Sequence, residues 1–166
     1  ALHTAALPNT LTTVGNNAFN QTNLKTLHIP ASLTSIGTYA FNENALDTIT
    51  VDGGNIAYDS RVNCQMLVET STDKVLVGSN SATIPEGIKA IGEHAFSNLQ
   101  TLSSITIPKT LTTIGMHAFS NCRALSNVAF TLPSSMMTLD VEAFSSCTAL
   151  TSLVLPDCIL NLQSNV

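Results

Sequence analysis

Tryptophan is absent from these 166 residues and tyrosine occurs only twice, so the stacked aromatic platform that commonly grips sugars is missing. Charge is scarce as well. Charged residues make up 10% of the chain, where soluble domains average roughly 25%. Six basic residues stand singly within a net charge of −5. That leaves no basic stripe to meet phosphates, and nucleic acid is not an expected partner. No apolar run approaches the ~20 residues of a membrane-spanning helix, so no membrane-spanning segment is expected in this chain. The opening "ALHTAALPNT" lacks a signal-peptide charge pattern. Four cysteines, Cys64, Cys122, Cys147 and Cys158, are too few and too irregular for a disulfide framework.

Catalytic signatures are missing too. There is no G-x-S-x-G, no P-loop and no G-x-G-x-x-G, and "DGGN" reads as a turn. Carboxylates are dispersed, without an acid–base pair. Asp52, Asp59 and Asp73 do not match a calcium loop in spacing. No catalytic residue, cofactor or metal site is expected, and the chain reads as a non-enzyme.

What the chain does contain is repetition. All six prolines fall at one phase: Pro8, Pro30, Pro85, Pro108, Pro133 and Pro156. Eleven residues after each of the first five stands a phenylalanine preceded by alanine: Phe19, Phe41, Phe96, Phe119 and Phe144. Three residues past each proline come Leu11, Leu33, Ile88, Leu111, Met136 and Ile159. Six past it come Val14, Ile36, Ile91, Ile114, Leu139 and Leu162. Units start near Leu2, Leu24, Leu46, Leu102, Leu125 and Leu150, at an ordinary spacing of 22 to 25.

Each position has a physical reading. Alternation in "SSITI" puts Ile105 and Ile107 on one face of a short half-buried strand. Proline cannot donate to a ladder and ends that strand. Gly15, Gly37, Gly92 and Gly115 follow the second apolar anchor, where a turn through positive φ is expected. The Ala-Phe pair fills the interior behind. One coil cannot bury these groups alone, so coils must stack into a solenoid. One domain over residues 1–166 has room for such a core.

"LSSITIPKTLTTIGMHAFSNCRA" resembles the leucine-rich repeat of the BspA-like bacterial surface proteins, with its L-x-x-I-x-I-P, I-G-x-x-A-F and trailing cysteine. The asparagine ladder of the more familiar leucine-rich repeats is absent. The resemblance implies a leucine-rich-repeat solenoid, a curved right-handed superhelix with a β-strand plus a turn or short helix per coil. It also implies an extracellular or cell-surface location and adhesion to host or matrix proteins or to other cells. A structural spacer that binds nothing is the alternative. The sequence begins inside a repeat, so it is expected to be a piece of a longer protein, with any export signal or anchor outside it.

Three departures from the repeat carry information. The unit from Leu46 reaches its phenylalanine after 50 residues, where those from Leu2, Leu24 and Leu102 take 17, which marks an insertion of about 33 residues over roughly 52 to 84. Within it "CQMLVE" and "KVLVG" flank "TSTD" and predict a β-hairpin. The unit from Leu125 adds "TL" and replaces the turn glycine with Asp140. The last unit ends in "QSNV", either a worn cap or a truncation point.

Candidate binding residues are those that vary. The strand's outward positions, Thr26, His28, Thr48, Thr50, Ser104, Thr106 and Asn127, with Ala129, Ser152 and Val154, form a short-chained, nearly uncharged face. It reads either as plain β-sheet surface or as a shallow docking surface for a protein ligand. The insertion reads either as a hairpin packed on the solenoid or as a projecting binding element, with Tyr58, Asp59 and Arg61 as candidate contacts. His94 and His117 share one phase with Asn17, Tyr39 and Glu142 and are expected to stack ~5 Å apart on an exposed turn. Cys122 and Cys147 read as buried small hydrophobes, with a disulfide between adjacent coils left open.

Overall fold

The computed structural model describes residues 2–62, 64–132 and 134–164. Pro133, fifth of the phased prolines, lies outside the described residues, as does the end of "QSNV". Thirteen short strands and no helix make up the described chain. A complete coil, such as those from Leu24, Leu102 and Leu125, is one front strand, a turn, a two-residue back strand and a second turn.

The front strands are β2 (Thr26–Ile29), β4 (Thr48–Val51), β9 (Ser104–Ile107) and β11 (Asn127–Phe130). Their burial follows the sequence alternation: Leu27, Ile29, Ile49, Ile105 and Ile107 point inward, while the residues between them are exposed. β2 and β9 end where Pro30 and Pro108 follow. The chain then turns tightly, with the Leu33 N–H on the Pro30 carbonyl and the Leu111 N–H on that of Pro108 at 3.2 Å each. The back strands are β1 (Thr13–Val14), β3 (Ser35–Ile36), β8 (Ala90–Ile91), β10 (Thr113–Ile114), β12 (Thr138–Leu139) and β13 (Asn161–Leu162). Pairing between successive coils is parallel and without slip, as in Thr113↔Ala90 and Thr113↔Thr138. The sixth coil departs from expectation, because residues 151–156 form no strand.

The second turn differs from the sequence reading. Gly15, Gly37, Gly92 and Gly115 do not take positive φ; among the described glycines only Gly87 does. At Gly92 the need is space: a Cβ there would lie 2.7 Å from the Val75 carbonyl oxygen. Positive φ falls two residues later, at Asn17, Tyr39, His94, His117 and Glu142, all within 53–56°. Most residue types avoid this region. Here it is held by neighbouring coils: the His94 N–H donates to the Met116 carbonyl and the His117 N–H to that of Val141, both at 3.0 Å. Behind these turns the phenylalanine rings stack, with centroids 4.9 Å apart for Phe96–Phe119 and 5.1 Å for Phe119–Phe144.

The insertion enters the stack. Its strands β5 (Tyr58–Asp59), β6 (Met66–Glu69) and β7 (Lys74–Gly78) form the expected hairpin, β6 with β7, extended by β5. β7 also pairs in parallel with β8, Lys74↔Ala90 and Val75↔Ile91. A seven-stranded back sheet results, in the order β13-β12-β10-β8-β7-β6-β5. The apolar core lies in two clusters, and the insertion feeds both. Met66, Val68 and Val75 join the C-terminal one, while Tyr58, Leu67 and Val77 join the N-terminal one.

Candidate functional site

The front strands bring the predicted outward residues to the surface. Thr26, His28, Thr48 and Thr50 are exposed on β2 and β4, and Ser104, Thr106 and Asn127 on β9 and β11. Pairing places them in rows, Thr26 beside Thr48, His28 beside Thr50, and Ser104 beside Asn127. The rows form two patches, since β4 and β9 are not paired: the Ile49 N–H is taken instead by the side chain of Gln65, at 2.9 Å from its Oε1. Ser152 and Val154, expected to continue the face, sit on the sixth coil, which forms no front strand.

The first patch has one polar centre. His28 Nδ1 hydrogen-bonds Thr50 Oγ1 at 3.0 Å, and its Nε2 lies 3.3 Å from Asp52 Oδ1. Asp52 opens the insertion, so the patch and the insertion meet at this carboxylate.

The structure separates the three candidate contacts of the insertion. Tyr58 is 5% exposed and its ring belongs to the N-terminal core cluster, so it is not offered to a partner. The cause is the antiparallel register of β5 on β6, which turns Tyr58 inward. Asp59 and Arg61 come together: Arg61 Nε lies 3.1 Å from Asp59 Oδ1, and Nη2 contacts Asp73 at the hairpin turn. The side chains presented outward are Ile56, 83% exposed, and Val62, 93% exposed. Sequence reasoning passed over both because neither holds a phased position of the repeat or lies in the two β-rich runs of the insertion.

At the second turn the phased row is in contact. The rings of His94 and His117 stack with centroids 4.8 Å apart, and Tyr39 meets His94 edge-on at 5.3 Å. Glu43 lies 3.4 Å from His94 Nδ1 and Glu142 3.5 Å from His117 Nδ1. Tyr39, His94, His117 and Glu142 are half-buried, not on the open turn expected, while Asn17 is exposed. Burial, then the neighbouring His117, lower the pKa of His94 against the opposing pull of Glu43 and Glu93. A hydrogen bond to Glu93, then burial, push the Tyr39 hydroxyl up to about 12. Among the described residues no three His, Cys, Asp or Glu side chains converge as a metal site would require. All four cysteines are free. Cys122 and Cys147 are buried and donate to the carbonyls of Phe96 and Phe119, at 3.0 and 3.1 Å. The Cys147 side chain, then burial, push the Cys122 thiol up, which keeps it protonated.

A stack of proline-phased parallel coils is the observation against which known families can be set. The family model described as the BspA type leucine-rich repeat region matches residues 1–72 and 77–166 in six copies. The chain belongs to that BspA-type family. A leucine-rich cell-surface protein from Faecalibacterium prausnitzii A2-165 is 34% identical, with a TM-score of 0.82 over 95% of this chain and 42% of that one. The pneumococcal vaccine antigen PcpA shares the fold at 23% identity, with a TM-score of 0.79 over 93% of this chain and 39% of that one. A leucine-rich repeat protein from Bacteroides ovatus ATCC 8483 is 29% identical, with a TM-score of 0.55 over 88% of this chain and 35% of that one. The BspA-type chain thus spans less than half the length of these relatives. No curated protein matches its sequence. Among the described residues no helix is long and apolar enough to cross a membrane.

Proposed function

We propose that this chain is a non-enzymatic protein-binding domain of a secreted or cell-surface protein, and that it adheres to host or matrix proteins or to other cells. Its contact surface is the front sheet with the adjoining rim of the insertion. The observation that carries this reading is the patch on β2 and β4. Four exposed, nearly uncharged side chains stand there in register, next to an insertion that carries the exposed Ile56 and Val62. A flat face costs little to desolvate because it carries few charges. The exposed apolar side chains of the insertion add area from which protein contacts draw their energy. The Faecalibacterium prausnitzii relative described as a cell-surface protein supports the location.

The test is binding of purified matrix proteins to the chain and to two surface variants. One carries Thr48→Lys and Thr50→Lys, the other Ile56→Asp and Val62→Asp. All four positions are exposed, so the fold is retained. The expected result is a loss of about tenfold or more in affinity for either variant. Unchanged binding by both would remove the surface from consideration. It would favour a spacer that holds other domains apart, the reading to which the break between β4 and β9 already lends weight.

A further inference from the structure

Residues 150–156 repeat the pattern that builds β9. Leu150, Leu153, Leu155 and Pro156 stand where Leu102, Ile105, Ile107 and Pro108 stand in the fourth coil. The apolar anchors do their part, since Leu150, Leu153 and Leu155 rest against the C-terminal core cluster. Yet no backbone hydrogen bond joins this segment to β11, which is paired with β9 alone. Between β11 and the segment lies a cleft of about 470 Å³. Residues 127–130 and Leu132 form one wall and residues 154–157 the other. Leu132 is 71% exposed and Val154 82% exposed at its lips.

We propose that this cleft receives an extended segment of a partner protein, added as a strand along the open edge of β11. The argument rests on complementarity of partial charge. An unpaired strand edge offers N–H donors and carbonyl acceptors in alternation, and another extended backbone matches both series at once. A folded surface or a small apolar molecule would leave those groups unmet at a cost. Phe130, Leu132, Val154 and Leu155 make the walls apolar, which selects alternate apolar side chains on the incoming strand. Asp157 is the one charged residue of the lining and favours a basic residue at that end. The site uses the edge of β11, not the patch on β2 and β4 that carries the reading above, and shares Asn127 with the front face.

The chain's own residues 151–155 compete for the same place, because their sequence would also pair with β11 if the coil closed. Two measurements separate the cases. The probe is a labelled peptide copied from residues 101–108, "TLSSITIP", with a lysine added at each end. Fluorescence anisotropy is expected to show saturable binding, weakened about tenfold when the isoleucine amides are N-methylated. Hydrogen exchange of the free protein is expected to show fast-exchanging edge amides among residues 127–130 that slow when the peptide is present. Val154→Asp, at a largely exposed position, weakens the peptide, while Thr48→Lys with Thr50→Lys leaves it unchanged. Absence of saturable binding overturns the proposal. So does equal binding of the N-methylated peptide, or a free protein in which residues 127–130 and 151–155 are already mutually protected.

Discussion

Asn17, Tyr39, His94, His117 and Glu142 have little chemistry in common and share one backbone conformation. The side chain at this position is left free by the fold, whereas φ is dictated by the coil on either side. Free choice has put two imidazoles in contact, and that has a pH consequence. Because the pKa of His94 is lowered in the folded protein, the unfolded chain binds its proton first as pH falls. Stability is therefore complete above the ordinary histidine value of about 6.5 and declines below it, until the folded form is protonated as well. His94→Asn keeps a residue that tolerates positive φ and removes the titration. The fall in urea midpoint between about pH 7.5 and pH 5 is expected to be smaller in this variant than in the parent. An equal or larger fall would mean that His94 is not a source of acid sensitivity.

At the level of elements, the strand, proline turn and stacked Ala-Phe were legible in the sequence because each has a fixed phase. The inserted hairpin was legible too, from "CQMLVE" and "KVLVG". Its destination was not. β6 is buried on both sides, with Met66 and Val68 serving one core and Leu67 the other. A short apolar run does not reveal which neighbours will cover its two faces. Tyr58 was misplaced at the surface for a similar reason: the polar Asp59, Ser60 and Arg61 follow it, and the strand that buries it is eight or more residues away. The sixth front strand was expected from pattern alone, and pattern cannot register whether a neighbour is close enough to bond. What holds the insertion to the second coil is also invisible in sequence. Asn42, 6% exposed, donates through Nδ2 to the carbonyls of Leu76 and Glu93 at 3.3 Å each. Asn42→Ala leaves both carbonyls unmet and is expected to cost about 1–3 kcal/mol, measured by urea denaturation. A change below about 0.5 kcal/mol would show that these bonds carry nothing.

At the scale of the whole molecule, two core clusters share one insertion. The C-terminal coils are joined to it by the β7–β8 backbone ladder, while β1 and β3 pair only with each other. Nearest-neighbour coupling of this kind lets one part of a solenoid open without the other. Leu67→Ala removes a fully buried side chain from the N-terminal cluster and is expected to destabilise by about 2–5 kcal/mol. In native-state hydrogen exchange that loss should appear over residues 2–51, with residues 88–147 keeping their protection. Uniform loss along the chain would show that the two clusters unfold as one.

The seam between the coils up to β4 and the insertion has a mechanical meaning. Elsewhere successive coils are joined by repeated backbone bonds. Here the closures are mainly side-chain amides: Asn42 to Leu76 and Glu93, Asn55 to Pro30 and Leu33, and Gln65 to Ile49, with the Asn80 N–H to the Leu46 carbonyl among the few backbone links. A tether stretched along the stacking axis would part first at this joint. The extended chain of the insertion would pay out as slack while the coils on both sides stayed wound.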